Sequence, residues 1–190
     1  TDEHSQQVYD KARANFYHLI KEGVLAEDAE PCFYLYAQTM NGRQQIGLVG
    51  SSSVEDYFRN VIKKHEFTRP EKEEDRIRHM ETLQAHVGPI FLTYPRHQAI
   101  DALVTEVVNA ETPVYDFTAT DGVRHCVWVI ASQAKINTIA QVFESEIPFT
   151  YIADGHHRTA SAAKVGQKMK EQNANHTGEE EYNFFLSVLF

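Results

Sequence analysis

Tyr151-Ile-Ala-Asp-Gly-His-His-Arg-Thr-Ala-Ser-Ala-Ala-Lys164 passes from an apolar run, through Asp154-Gly155, into two histidines, an arginine and a string of alanines. Short apolar runs bounded by turn residues read as strands. Glycine supplies the backbone freedom a sharp turn needs, and alanine is the best helix former. The stretch therefore predicts a strand over Phe149–Ala153, a tight turn at Gly155 and a helix over His157–Gln172. Ala160, Ala162 and Ala163 are small enough to let that helix press against a sheet.

The same punctuation divides the rest of the chain. Val8, Ala12, Phe16, Leu19 and Ile20 recur at helical spacing, which predicts a helix over Glu3–Glu22 stopped by Gly23. Cys32–Met40 and Gln45–Gly50 read as strands joined at Asn41-Gly42, the strongest short hairpin signal. Ser53 caps a short helix through Arg59. Arg69–His86 is charge-dense and helical, with Pro70 near its start and acids in its first turn. Pro89–Tyr94 is a strand and Gln98–Asn109 a helix. Val114–Thr118 and Arg124–Ala131 form a second hairpin around Asp121-Gly122, Ser132 opens a helix to Phe143, and Phe184–Phe190 is a final strand. Strands alternating with helices, plus two hairpins, give an α/β or α+β fold: a mixed sheet with flanking helices. No Gly/Ser/Pro-rich linker divides the chain, which reads as a single domain or, because it stops inside the apolar Phe184–Phe190, as an incomplete part of a longer protein.

Composition limits the function. A chain of 190 residues with 42% hydrophobic and 24% charged residues has globular proportions. The net charge of −9 argues against duplex nucleic acid as a partner, since that requires a basic footprint. No apolar run approaches the roughly 20 residues of a membrane helix. Cys32 and Cys126, far apart and each in an apolar segment, are expected to be reduced, buried thiols. A cytoplasmic protein with no membrane partner is the expectation.

A strand that turns on glycine directly into a helix is an anion site in principle, because the first helical amides lack intrahelical partners and the helix dipole is positive there. Gly155 admits a ligand closely, Arg158 can grip phosphate oxygens with its planar fork, and His156 and His157 can donate hydrogen bonds or exchange protons. Arg158, at a ligand-facing helix start, is expected to add little core packing. Alternatively, Asp154 acts only as the helix cap and Arg158 only as its ion-pair partner. Asp154, His156 and His157 are also plausible metal ligands, although adjacent histidines rarely converge on one ion, and no metal is assigned to them. A second cluster, Lys63–Arg76, places His65, Glu66, Thr68, Arg69 and Arg76 around a Pro-started helix. Glu66 can serve as a base and Arg76 as a second phosphate clamp if this segment folds over the turn; otherwise these charges line a solvated helix face. His79, His86, His97, His125 and His176 show no ligand-like spacing.

Ala153–Ala162 resembles the signature of a prokaryotic family catalogued as a domain of unknown function and marked by Asp-Gly-His-His-Arg. Lys63–Arg76 and His86–Pro95 are similar to that family's other recurring segments, so the likeness spans most of the chain. It also implies that both ends of the family's longer chain are absent here. More distantly, the turn is similar to the ParB/sulfiredoxin superfamily, whose members bind nucleotides. Gly155, His157 and Arg158 match the sulfiredoxin Gly-Cys-His-Arg turn, whereas His156 occupies the cysteine position, so sulfiredoxin chemistry is not implied. Some ParB-type domains bind CTP at this turn, and a free-serine kinase of the superfamily transfers phosphoryl from ADP. The resemblance implies a pocket for a nucleotide (ADP, ATP or CTP) with Mg²⁺. The expected function is phosphotransfer to a small molecule, with Asp154, Glu66 and His156 catalytic and Gly155, His157, Arg158 and Arg76 holding phosphate. His65 and Thr68 belong to the second segment. The alternative is a non-catalytic nucleotide-binding module.

Overall fold

The computed structural model describes residues 5–190, so the expected helix start at Glu3 lies outside the described residues. Helix α1 covers Gln6–Lys21. Strands β1 (Phe33–Met40) and β2 (Arg43–Ser53) form the foreseen hairpin, with Asn41 at φ 51° and Gly42 at φ 76°. Both angles suit the two-residue turn that matches strand twist. Ser53 ends β2 and caps α2 (Val54–Phe58), its side chain accepting from the amides of Glu55 and Asp56. A two-residue strand β3 (Ile62–Lys63) precedes α3 (Pro70–Leu83), which Gln84 stops in the left-handed conformation. Then come β4 (Ile90–Thr93), α4 (Gln98–Ala110), β5 (Tyr115–Thr118), β6 (Arg124–Ile130) and α5 (Gln133–Ser145). Strand β7 (Thr150–Asp154) feeds α6 (His156–Gln172), and a 3₁₀ turn at Glu181–Asn183 leads to β8 (Phe184–Leu189).

The sequence pattern missed β3 and shortened β2. Two residues show no periodicity, so β3 is invisible until β7 is there to pair with it in parallel. Strand β2 outruns Gln45–Gly50 because it serves two neighbours: residues 43–49 pair with β1 and residues 48–53 with β8.

All eight strands form one mixed sheet in the order β3-β7-β4-β8-β2-β1-β6-β5. Its registers align a continuous row of cross-strand neighbours, Trp128, Leu35, Leu48, Leu189, Leu92 and Ile152, every one of them buried. Directly paired residues share a sheet face, so this row marks the face that carries the core. Toward β6 it packs against Ile100, Leu103 and Val107 of α4 and Ile139 and Val142 of α5. Toward β7 it packs against Ala162 and Ala163 of α6, with Ile90 and Phe185. The alanines let α6 lie close to the strands, and Gly166 lets the 3₁₀ turn at Glu181–Asn183 approach α6, since a Cβ there would collide with the Tyr182 carbonyl. Each buried Leu or Ile contributes roughly 1.5–3 kcal/mol. No helix among the described residues is long and apolar enough to cross a membrane.

The two thiols differ from expectation. Both are unpaired, but only Cys126, inside β6, is buried; Cys32 is half-buried. Cys32 precedes β1, and its thiol donates to the Glu30 carbonyl at 3.3 Å instead of entering the core.

Helix α3 is anchored to α6 by a buried acid. Glu73 is 4% exposed and accepts a hydrogen bond from Lys164, while its backbone carbonyl accepts from the Ser161 hydroxyl at 3.2 Å. Burial pushes the Glu73 pKa up, but hydrogen bonds from Lys164 and Thr68 and the nearby positive charge outweigh it and hold the carboxyl below its ordinary 4.5. A carboxylate with a depressed folded pKa stabilises above its unfolded value, and that contribution is lost as pH falls through the folded one. Glu73→Ala is expected to cost about 2–3 kcal/mol at neutral pH, measured by urea denaturation. The gap to wild type should narrow as pH falls below about 4.5; a gap constant with pH would show that the ion pair is not what stabilises the contact.

Candidate functional site

The site is built at the C-terminal end of β7. The β4–β7 register shifts between Phe91, opposite Asp154, and Leu92, opposite Ile152, so Ala153 is an extra residue in β7. Such a bulge re-aims the side chains beside it. Gly155 follows at φ 96°, ψ 27°, and α6 begins at His156, one residue earlier than the sequence predicts. Asp154 does not cap the helix; no side chain does. Its carboxylate instead accepts from Arg158 Nη2 at 2.9 Å.

Arg158 folds back beneath the turn. Its Nη1 donates to the Pro89 carbonyl at 2.8 Å. A Cβ on Gly155 would sit 3.3 Å from the guanidinium, and one on Gly88 would sit 3.0 Å from it. The expectation that Arg158 contributes little to packing is therefore corrected: it ties the loop before β4 to the end of β7, and two glycines make room for it.

Seven residues named from the sequence, Glu66, Arg76, Asp154, Gly155, His156, His157 and Arg158, line one cleft of about 510 Å³, together with Glu71, Lys72 and Asp75. His65 and Thr68 stand outside its wall. The His65 ring meets His156 edge-on at 4.4 Å between centroids, and Thr68 lies beside Glu73, whose carboxyl it helps hold below its ordinary pKa. The segment before α3 is fastened to the turn by His157, whose Nε2 accepts from the Arg69 amide at 3.1 Å. That bond occupies one imidazole nitrogen in structure, leaving less of the ring for a ligand.

His156 is 4% exposed, with Nδ1 3.4 Å from Glu66 Oε2 and no hydrogen-bond partner on Nε2. Burial pushes its pKa below the ordinary 6.5, against an opposing pull from Glu66. Arg76 and Lys72 lie one helical turn apart on α3, exposed in the cleft wall, and make no ion pair or side-chain hydrogen bond among the described residues. Lys72 was not singled out from the sequence. Its spacing from Arg76 was the available signal, because residues i and i+4 share a helix face. Arg76 and Arg158 also line an adjoining cavity of about 290 Å³ beside His79, His86 and Gly88.

Among the described residues, the cleft thus joins a helix start without a capping side chain, two unpaired cations and several carboxylates. The cations and amides suit an anion, while the carboxylates suit a cation accompanying it. Because Arg158 also holds the fold, Arg158→Ala is expected to cost about 1–2 kcal/mol of stability, read by chemical denaturation. Arg158→Lys should recover only part, since one ammonium cannot replace two arms of the fork. No change in stability would mean that the bonds to Pro89 and Asp154 contribute nothing to the fold.

Comparison with curated proteins and with solved structures returns no match to either. A family model, described as Protein of unknown function (DUF1015), matches residues 1–190, and the chain belongs to that family.

Proposed function

We propose that the cleft binds the phosphates of a nucleotide (ADP, ATP or CTP) and that the protein transfers a phosphoryl group between it and a small-molecule acceptor. The observation that carries this reading is the facing of Lys72 and Arg76, two cations unpaired among the described residues, toward the glycine-led start of α6. A helix start supplies unpartnered amides and positive potential, and the cations add charge without having to leave another partner. Resemblance of the Gly155-His156-His157-Arg158 turn to the ParB/sulfiredoxin superfamily supports the same ligand class, and an overall charge of −9 disfavours a polynucleotide.

The carboxylates fit Mg²⁺, a hard cation that takes oxygen donors and keeps part of its water shell. Glu71 and Asp154 would hold it in this cleft. When bound, it would neutralise charge on the phosphates. Arg76 and Lys72 then bind the phosphate oxygens, while Arg158, fixed by its bonds to Asp154 and Pro89, contributes a pre-set positive charge rather than a mobile clamp. Glu66, exposed at the cleft wall beside His156, is the carboxylate that would orient an acceptor hydroxyl.

Arg76 is the cleaner probe of binding, because it makes no ion pair or side-chain hydrogen bond among the described residues. Arg76→Ala should leave stability within about 0.5 kcal/mol of wild type and weaken ADP or ATP binding by roughly tenfold to a hundredfold, the value of a charge-assisted contact. Calorimetric titration with each nucleotide in Mg²⁺ checks it; unchanged affinity would remove the cleft from consideration. Retained nucleotide binding with no turnover of any acceptor would favour the non-catalytic binding module.

A further inference from the structure

We propose that His65, Glu66 and His156 form a binding site for a transition-series divalent cation of the zinc class, distinct from any Mg²⁺ that accompanies a phosphate. One ligand atom from each of the three lies within 4.8 Å of the others. His156 Nδ1 is 3.4 Å from Glu66 Oε2, and His65 Nε2 is 3.8 Å from Glu66 Oε1. Two ligand atoms each about 2.1 Å from an ion at a tetrahedral angle stand about 3.4 Å apart; the His156–Glu66 spacing matches that value, while the His65 contact, to the other carboxylate oxygen at 3.8 Å, closes onto the same ion with a small side-chain rotation. The two imidazole rings meet edge-on, at 81°.

The environment of His156 supplies an independent observation. The ring is 4% exposed; Nδ1 faces the Glu66 carboxylate at 3.4 Å with no hydrogen bond between them, and Nε2, on the other edge of the ring, has no partner among the described residues. Buried polar groups in folded proteins are almost always satisfied. In the tautomer with the proton on Nε2, the Nδ1 lone pair and the carboxylate repel each other, and a cation between them converts that repulsion into coordination. Asp154 adds a second carboxylate near His156, and the neighbouring His157 is engaged by the Arg69 amide.

Two nitrogens and one carboxylate oxygen suit zinc-like ions rather than Mg²⁺, which prefers oxygen alone. Three protein ligands with a further position open is the arrangement of catalytic rather than structural zinc. Glu66 and His156 both line the cleft, so the open position is available to water or to an oxygen of a ligand bound there. The metal site does not rest on the nucleotide reading, and it is tested without nucleotide.

Tag-free protein, stripped of metal, is titrated with Co²⁺ and its visible absorption is followed, then back-titrated with Zn²⁺. One ion per chain should bind, with d–d bands of a four- or five-coordinate centre, displaced by Zn²⁺ and not by an equal concentration of Mg²⁺. His65→Ala, at an exposed position, should weaken Co²⁺ binding at least about tenfold, whereas His18→Ala, on α1, should leave it unchanged. Glu66→Gln, which keeps the shape and removes the charge, gives the same comparison should His65→Ala disturb folding. Equal affinity in wild type and both site variants, an equal loss in His18→Ala, displacement by Mg²⁺, or no saturable binding would each overturn the proposal.

Discussion

Gly155 holds φ at 96°, a conformation that residues with a Cβ rarely adopt, and the candidate site depends on it. The glycine turns the end of β7 into α6 within one residue, leaving no position for a side-chain cap. It also leaves room beneath the turn for the Arg158 guanidinium, which a Cβ would crowd at 3.3 Å. The same residue therefore leaves the helix start without a side-chain cap and admits the group that braces that start from below.

The brace and the cleft wall come from different parts of the chain. Arg158 reaches the Pro89 carbonyl before β4, so the turn is secured to the sheet by a charge-assisted bond rather than by apolar contact alone. Glu73 and Lys164 secure α3 to α6 on the other side. With those two ties in place, Lys72 and Arg76 on α3 face the first turn of α6 across the cleft. Acids and bases alternate around the opening, which suits an anion accompanied by a divalent cation better than either ion alone.

Much of this was legible in the sequence. Strands, helices and both hairpins follow from short-range chemistry: Asn41-Gly42 and Asp121-Gly122 in turns, Ser53 at a cap, Pro70 at a helix start. The Asp-Gly-His-His-Arg turn was readable for the same reason. What the sequence could not show depends on tertiary contact. In the run Glu71-Lys-Glu-Glu-Asp75 every residue looks equally solvated, yet Glu73 is buried because α6 presents Lys164 and Ser161 to it. Arg158 reads as a free clamp until the Pro89 carbonyl is brought to it. His65 stands 91 positions before His156 in the chain, and only the parallel pairing of β3 with β7 sets the two rings together. Among adjacent residues, His156 and His157 diverge, one buried against Glu66 and the other holding the Arg69 amide; consecutive residues at a helix start point in different directions.

The central claim is that the start of α6 is a phosphate site. A crystal structure of the protein with ADP and Mg²⁺ tests it most directly. The account predicts phosphate oxygens within hydrogen-bond distance of the backbone amides that follow Gly155, with Arg76 and Lys72 turned onto the same phosphates. Nucleotide bound elsewhere on the molecule, with that helix start facing only solvent, would contradict it.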